Sequence, residues 1–548
     1  MQNFSTLILA YSSFVIVSCG GGSGGSAPSN QQSSTPPPAP ISKVTLLGQI
    51  TYDRVPHSQS GSLDFANTSI LPVRGAVVEA VTSSGEIIDS SILDADGEYQ
   101  LSVEAGTDIR VQIKAQSISH TANQWDVSVT DNTNENALYI LQGALFSSGT
   151  NAEQNRDLHA AHGWTGQSYG DTRAAAPFAI LDNIYAAMTN FAAIDPELDF
   201  PPLKIHWSTN NITTRGDRRI GHIGKSAYIE EGDGGAIFVV GQENADTDEF
   251  DSHVILHEWG HYFEHQISRS DTIGGLHSLT DRLDPRVAFS EGWSNALSAI
   301  LTDDPIYRDS FGPSQSDGFS FNIETPNVTS PGWFNEASIG AIIYDIYDQD
   351  FDEGDDISAG LGPIYRAMTS ETYINTPVFT TIFAFSDALR ANNEISDFQI
   401  DTLLQTQNIS GQGGKGNQES NNGAIQSALP IYKSAELNGE VTRFCSLDDA
   451  GVFNKLGNRD FISLILDQDQ DVKITVSQIG GDDIRDPDFN IWKAGVRLHR
   501  SVTNANNPEI FEGALSAGTY IIEAYDAGNV RGTSSTRGDA CYQLTVER

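Results

Sequence analysis

Residues 257–261 read His-Glu-Trp-Gly-His. Two histidines four positions apart lie on one face of a helix, because a helix returns to the same side after about 3.6 residues. From that face both imidazoles can reach one Zn²⁺ at about 2.0–2.1 Å. Glu258 lies a quarter-turn round, where its carboxylate approaches water rather than the metal and can act as general base. With 12 His and 72 Asp+Glu in 548 residues, chance supplies this spacing about 0.03 times in such a chain. The alternative is a core helix carrying two satisfied histidines.

The elements that must position these groups are legible in the hydrophobic pattern. Phe250, Val254, Ile255, Trp259, Phe263 and Ile267 recur at helical spacing, and Asp248 stands before them as an N-cap. Further helices are expected over 177–193, with Pro177 in the first turn, and over 286–301, 335–348 and 376–392. The strand Ala236–Val240, between Gly234-Gly235 and Gly241, directly precedes the helix that carries His257 and His261.

A catalytic zinc needs a third protein ligand and an open position. The metzincin pattern HExxHxxGxxH fails, since position 264 is Glu and position 267 is Ile. Ala288-Phe289-Ser290-Glu291-Gly292-Trp293-Ser294-Asn295 instead places Glu291 in a following helix, 30 residues after His261. On these residues the chain resembles gluzincin metallopeptidases, broadly thermolysin- and fungalysin-like. The resemblance implies zinc, peptide-bond hydrolysis, His257, His261 and Glu291 as ligands, and Glu258 as base. Two departures stand out. The gap to Glu291 is longer than in thermolysin, and the ExxxD of the relatives is Glu291-Gly-Trp-Ser-Asn295. An Asn carbonyl can still accept a ligand histidine's N–H, but a neutral partner raises ligand basicity less. In such peptidases the strand ahead of the zinc helix is the sheet edge that pairs with substrate. Ala236–Val240 is expected in that role, with an ordinary core strand as the alternative.

Other groups need placing. His253 and His265 continue the four-residue series, but the face drifts and neither should share the metal. His277 lies in the connecting loop, where it can line the cleft. Tyr344 is the candidate transition-state stabiliser, with simple core packing as the competing reading. The run from Asp348 to Asp356 alternates carboxylates that suit Ca²⁺, although position 353 is Glu where an EF-hand needs Gly; a solvated acidic loop is the alternative.

The fold class expected is multidomain: a β-sandwich, then an α+β zincin-like metallopeptidase domain, then a C-terminal β-sandwich. Residues 43–118 alternate apolar and polar side chains in short strands such as Val44–Leu46, Ala76–Ala80, Tyr99–Val103 and Ile109–Ile113. With the turn Asp94-Ala95-Asp96-Gly97-Glu98-Tyr99, this segment resembles the carboxypeptidase-regulatory-like sandwich. Residues 119–430 carry the helices and the zinc motif. Residues 431–548 return to strands, and Asp486–Ile491 with Leu515–Tyr520 resemble the bacterial pre-peptidase C-terminal domain. Cys445 and Cys541 near its ends form a disulfide in an exported protein, or else remain two buried thiols.

Residues 4–17 form an apolar stretch too short to span a bilayer, followed by Ser18-Cys19. This resembles the lipobox of bacterial lipoproteins, cut after residue 18 and lipidated on Cys19, although Met1-Gln2-Asn3 lacks the usual basic residue. A plain signal peptide is the alternative. Gly20 after the Cys points to the outer membrane, periplasmic or surface-exposed, with a lipid anchor. The Gly/Ser/Pro-rich remainder of 19–42 is a linker.

Net charge is −41, which excludes nucleic acid as a partner and electrostatic docking on anionic lipid. The expected function is zinc endopeptidase action on polypeptides by a monomer. A zinc aminopeptidase, or an inert zincin-fold binding or adhesion lipoprotein, is the alternative.

Overall fold

The computed structural model describes residues 42–120, 122–230, 234–349, 357–481, 485–502, 508–531 and 536–548. Cys19, the signal segment, residues 19–41 of the linker and the acidic run 350–356 lie outside these residues.

Alternation builds the N-terminal sheets as expected. In the strand Lys43–Arg54, Val44, Leu46, Ile50 and Tyr52 turn inward. It pairs antiparallel with Glu98–Glu104 and Ser69–Pro72, and parallel with Glu153–Asn155 and Leu158–Ala160. A second, ten-stranded sheet has a main path of seven strands in the order Ala227–Ile229, Ala236–Val239, Leu203–Trp207, Gln124–Asp131, Asp108–His120, Ala76–Thr82, Ile87–Ile92, and three short strands pair beside it. The boundary expected between residues 118 and 119 therefore falls inside a sheet. Asp108–His120 turns directly into Gln124–Asp131, whose Val127 and Val129 continue the buried row begun by Ile109, Val111 and Ile113. A sheet with one face still open recruits the next apolar-alternating segment, so the N-terminal strands and the following region share one core.

Helix α1 (Ala176–Ile194) packs on this sheet, with Pro177 in its first turn. Behind it come α2 (Ser252–Gln266), α3 (Pro285–Thr302) and α4 (Glu336–Tyr347). Asp248 is not the cap of α2: it lies in the 3₁₀ turn Asp248–Phe250, where its carboxylate accepts the Ser226 hydroxyl. The helix expected over 376–392 is shorter, Ile382–Asn392. Residue 376 precedes Pro377, which disfavours helix. The Arg269 guanidinium also keeps this stretch out of the helix by donating to the carbonyls of Ile374, Thr376 and Val378. The hairpin Ile306–Phe311 and Asp317–Asn322 lies across α2 and α3.

The C-terminal region is a β domain of two sheets with a core of its own, including Phe444, Ile462, Ile474, Phe489, Tyr520 and Tyr542. Its five-stranded sheet begins at Tyr432. The four-stranded sheet contains the neighbouring strands Thr442–Ser446 and Ala540–Glu547, where Cys445 and Cys541 face each other and are joined as a disulfide. No helix among the described residues is long and apolar enough to cross a membrane.

Candidate metal centre

Two helices supply the central groups: α2 carries His257, Glu258 and His261, and α3 carries Glu291. Their close approach depends on Gly260, where a Cβ would lie 2.9 Å from Ser294 Cα. The Trp293 indole donates to the Gly260 carbonyl at 3.0 Å and ties the crossing together.

This crossing brings three donor atoms to one point. His257 Nε2 and His261 Nε2 are 3.2 Å apart, and Glu291 Oε2 is 3.2 Å from the first and 3.4 Å from the second. A tetrahedral ion with bonds of about 2.0–2.1 Å requires donors about 3.3 Å apart. Glu291 Oε2 is buried and accepts no hydrogen bond of normal geometry among the described residues. Ring nitrogens converging on an orphaned carboxylate oxygen fit a cation held between them, and an N₂O donor set fits zinc.

The outer nitrogens of both imidazoles are engaged. His257 Nδ1 donates to Asn295 Oδ1 at 2.9 Å. His261 Nδ1 lies 3.2 Å from Ser290 Oγ and 3.1 Å from Ser294 Oγ, and Ser290 donates onward to Glu264 Oε2 at 2.5 Å. Such bonds fix the tautomer that leaves Nε2 free for a metal. Burial works against charge on His261, yet Glu291, with Glu258 and Glu264, pushes its imidazole up to about 9. Burial likewise opposes ionisation of Glu291, but the histidines around it hold its carboxyl well below the usual range. The field that favours a proton here also favours a divalent cation.

Glu258 Oε2 accepts the backbone N–H of Tyr228 at 2.6 Å. Its side chain borders two cavities, one of about 460 Å³ shared with His261 and Glu291, the other of about 340 Å³ shared with His257. His277 reaches this second cavity from the loop: its Nε2 is 3.3 Å from Glu291 Oε2, and its Nδ1 is 2.7 Å from Glu336 Oε2 at the start of α4. His253 instead faces the Asp304 carbonyl, and His265 pairs with Glu230.

Two expectations are corrected. Tyr344 lies two turns beyond Glu336 on α4, about 12 Å along the axis; it packs against Tyr347 and borders neither cavity. Tyr228 lines the larger cavity, and the phenol on the wall of the smaller cavity is Tyr307, in a strand crossing α2, with its ring 6.3 Å from that of His257. The spacing to Tyr307 in sequence gives no local signal, because it arrives on a hairpin. Likewise Ala236–Val239 is not the sheet edge. Ala227–Ile229 pairs antiparallel with it on one side and Leu203–Trp207 parallel on the other, so Ala227–Ile229 is the edge and borders the cleft. A three-residue strand is too short for alternation to reveal. Sequence reasoning also missed Ser290, Glu264 and the group Asp246, Asp248 and Asp309, whose carboxylates lie within 4.8 Å of one another. Burial pushes all three carboxyls up, and the nearby Asp251 charge adds to the rise of each.

Residues 225–392 match the Mycolysin C-terminal domain family. That family is found in metallopeptidases, which relates the chain to peptidases, and the matched stretch contains α2, α3 and α4. A search of curated proteins gave no match. Among solved structures, the chain is similar to the pre-peptidase C-terminal domain of collagenase from Bacillus anthracis, at 14% identity over 21% of this chain and 93% of that one, with a TM-score of 0.16. It is similar to PliG, a periplasmic inhibitor of g-type lysozyme from Aeromonas hydrophila, at 17% identity over 21% and 95%, TM-score 0.14. A β-glucosidase from Paenibacillus barengoltzii gives 8% identity over 92% and 70%, TM-score 0.12. Scores this low assign no fold.

Proposed function

We propose that the chain is a zinc-dependent endopeptidase of gluzincin type, with a zincin-like centre spanning the middle of the chain. The observation that carries the reading is the meeting of His257, His261 and Glu291 at tetrahedral spacing beside Glu258 in an open cleft. Bound zinc would supply Lewis acidity toward the scissile carbonyl and the attacking water.

The protein groups divide the remaining work. Tyr228 N–H occupies Glu258 Oε2, which leaves Oε1 to take the proton from water and return it to the departing amine. His277, braced by Glu336, and Tyr307 are the donors on the cleft wall that can hydrogen-bond the developing oxyanion. The edge strand Ala227–Ile229 borders the cleft beside Glu258, where an extended polypeptide can lie along it. Export, lipid attachment at Cys19 and residence at the outer membrane belong to the same reading, as does a pre-peptidase-type role for the C-terminal domain.

The test is metal analysis together with digestion of casein, with and without chelator. About one zinc per chain and chelator-sensitive cleavage are expected. Full casein cleavage after complete metal removal would overturn the proposal. The acidic group Asp246, Asp248 and Asp309 on the second cavity favours one other reading, an aminopeptidase that binds a free amine. Equal cleavage of N-acetylated and free peptides excludes that reading.

A further inference from the structure

The two cavities that meet at Glu258 differ in their outer walls. The larger is bordered by Arg215, Arg218, His222 and Lys225, opposite Glu258, Glu264 and Glu291 of the candidate centre, and Lys225 also reaches the smaller. The first four belong to a short segment, residues 209–225, with four Lys+Arg and one Asp in a chain whose net charge is −41. A basic loop thus lies on the wall of the cavity that reaches Glu258, His261 and Glu291.

The segment is built, not loose. Ile212 N–H donates to the Gly221 carbonyl at 2.8 Å, Gly216 N–H to His222 at 2.9 Å and Gly224 N–H to Ile212 at 3.1 Å. Its acid is already consumed: Asp217 is bound by Arg219 through Nε at 3.1 Å and Nη2 at 2.8 Å, and Arg219 does not border the cavity. Glu230, at the far end of the edge strand, is paired with His265 at 3.0 Å. Arg215 and Lys225 are exposed, and neither has an ion-pair partner among the described residues. On the other side of Glu258, the smaller cavity combines Lys225 with Asp246, Asp248 and Asp309, three carboxyls that burial pushes toward the neutral form. A carboxylate side chain is drawn most strongly to the loop end of the cleft, where Arg215 stands, and that attraction sets the register of a bound strand.

We infer that the cleft selects polypeptides carrying an Asp or Glu side chain on the side of the scissile bond that faces the loop 212–224, with Arg215 and Lys225 as the selecting residues. The inference rests on the peptidase reading above and names its substrate class. Charge contacts at a rim act with solvent access, so the preference shrinks as salt rises.

The experiment uses the full zinc-loaded chain and a series of internally quenched peptides. Each carries a single Glu, Gln or Lys at one of the three positions before or after a fixed cleavage site. The expected result is a kcat/KM at least tenfold higher for Glu than for Lys on one side of the bond only. Arg215→Glu and Lys225→Glu, each with wild-type zinc content, should reverse that ratio. Equal kcat/KM for Glu, Gln and Lys at every position would overturn the inference while leaving a peptidase. An unchanged Glu-to-Lys ratio in both variants would overturn the assignment to these residues. No cleavage of any peptide would overturn the peptidase reading, and the inference with it.

Discussion

Glu523→Gln should destabilise the protein and loosen the proposed metal centre, although residue 523 belongs to the C-terminal β domain. Glu523 Oε1 meets Arg286 Nη2 at 2.8 Å and Arg459 Nε at 3.0 Å, and its other oxygen accepts Asn490 and the Trp492 indole. Arg286 is buried at the start of α3, five residues before Glu291, and is also bound by Asp284 at 2.9 Å. Burial opposes ionisation of Glu523, but the two guanidiniums hold its carboxyl down at about 2, against an ordinary 4.5. That difference corresponds to about 3 kcal/mol of stability. Breaking a buried ion pair by removing one partner costs about 3–5 kcal/mol by mutational experience, in agreement. Gln keeps the shape and can still accept from Asn490 and Trp492, so the substitution isolates the charge. Unfolding in urea, followed by tryptophan fluorescence, should show a loss of about 3 kcal/mol at pH 7. The sign with pH follows from a depressed carboxyl. The stabilisation is fully present above about pH 4.5 and disappears as pH falls toward 2, so wild type and variant should converge on acidification. Zinc should also leave the variant faster, because the Arg286 end of α3 is released. A loss below about 1 kcal/mol, or a gap that fails to narrow with acid, would refute this account of the interface.

Three other perturbations test the centre. Glu258→Gln should retain zinc by elemental analysis but lower kcat by about 10²–10⁴; unchanged kcat would remove Glu258 from the mechanism. Gly260→Ala should force α2 from α3, since the new Cβ would lie 2.9 Å from Ser294 Cα; overpacking of this kind costs about 1–3 kcal/mol, and chelators should strip the metal faster. Asp309→Asn should raise the thermal midpoint at pH 8 and leave it nearly unchanged at pH 4. Burial and neighbouring carboxylates push Asp309 up, so its charge penalises folding only as pH climbs above the ordinary carboxylate range of about 4. A midpoint lowered at pH 8 would contradict that sign.

How much of this was legible in the sequence depends on how local each signal is. The ligand helices show because their apolar positions repeat and because His257, Glu258 and His261 lie within a single turn-and-a-bit. Asn295 is legible for the same reason, one turn past Glu291. Tyr307, His277 and Glu336 were harder to read because each arrives at the cleft on a separate element: a hairpin, a loop and a helix start. Tyr344 illustrates the converse. The apolar pattern marks its helix, but helical periodicity says which residues share a face and not which end of that face meets the candidate centre. The domain boundary at 118/119 failed for a related reason. Composition shifts from strands to helices near there, while strand pairing, which is non-local, carries one sheet across it.

The placement of these groups also separates chemistry from recognition. The donor atoms, their hydrogen-bond partners and the glycine contact that sets their spacing all lie on α2 and α3, and the start of α3 is braced from outside by Glu523 through Arg286. Rigid packing of two helices holds donor positions more closely than a loop can, which a tetrahedral ion requires. Arg215, Lys225 and His222 instead lie on a surface loop attached to the sheet edge. Changing that loop alters which side chains are drawn toward Glu258 without moving His257, His261 or Glu291. Loss of the C-terminal brace does the reverse, because it acts on α3 and leaves the loop in place. The two halves of the cleft should therefore respond to different mutations: charge changes at 215 and 225 in substrate ratios, and changes at 286 and 523 in metal retention.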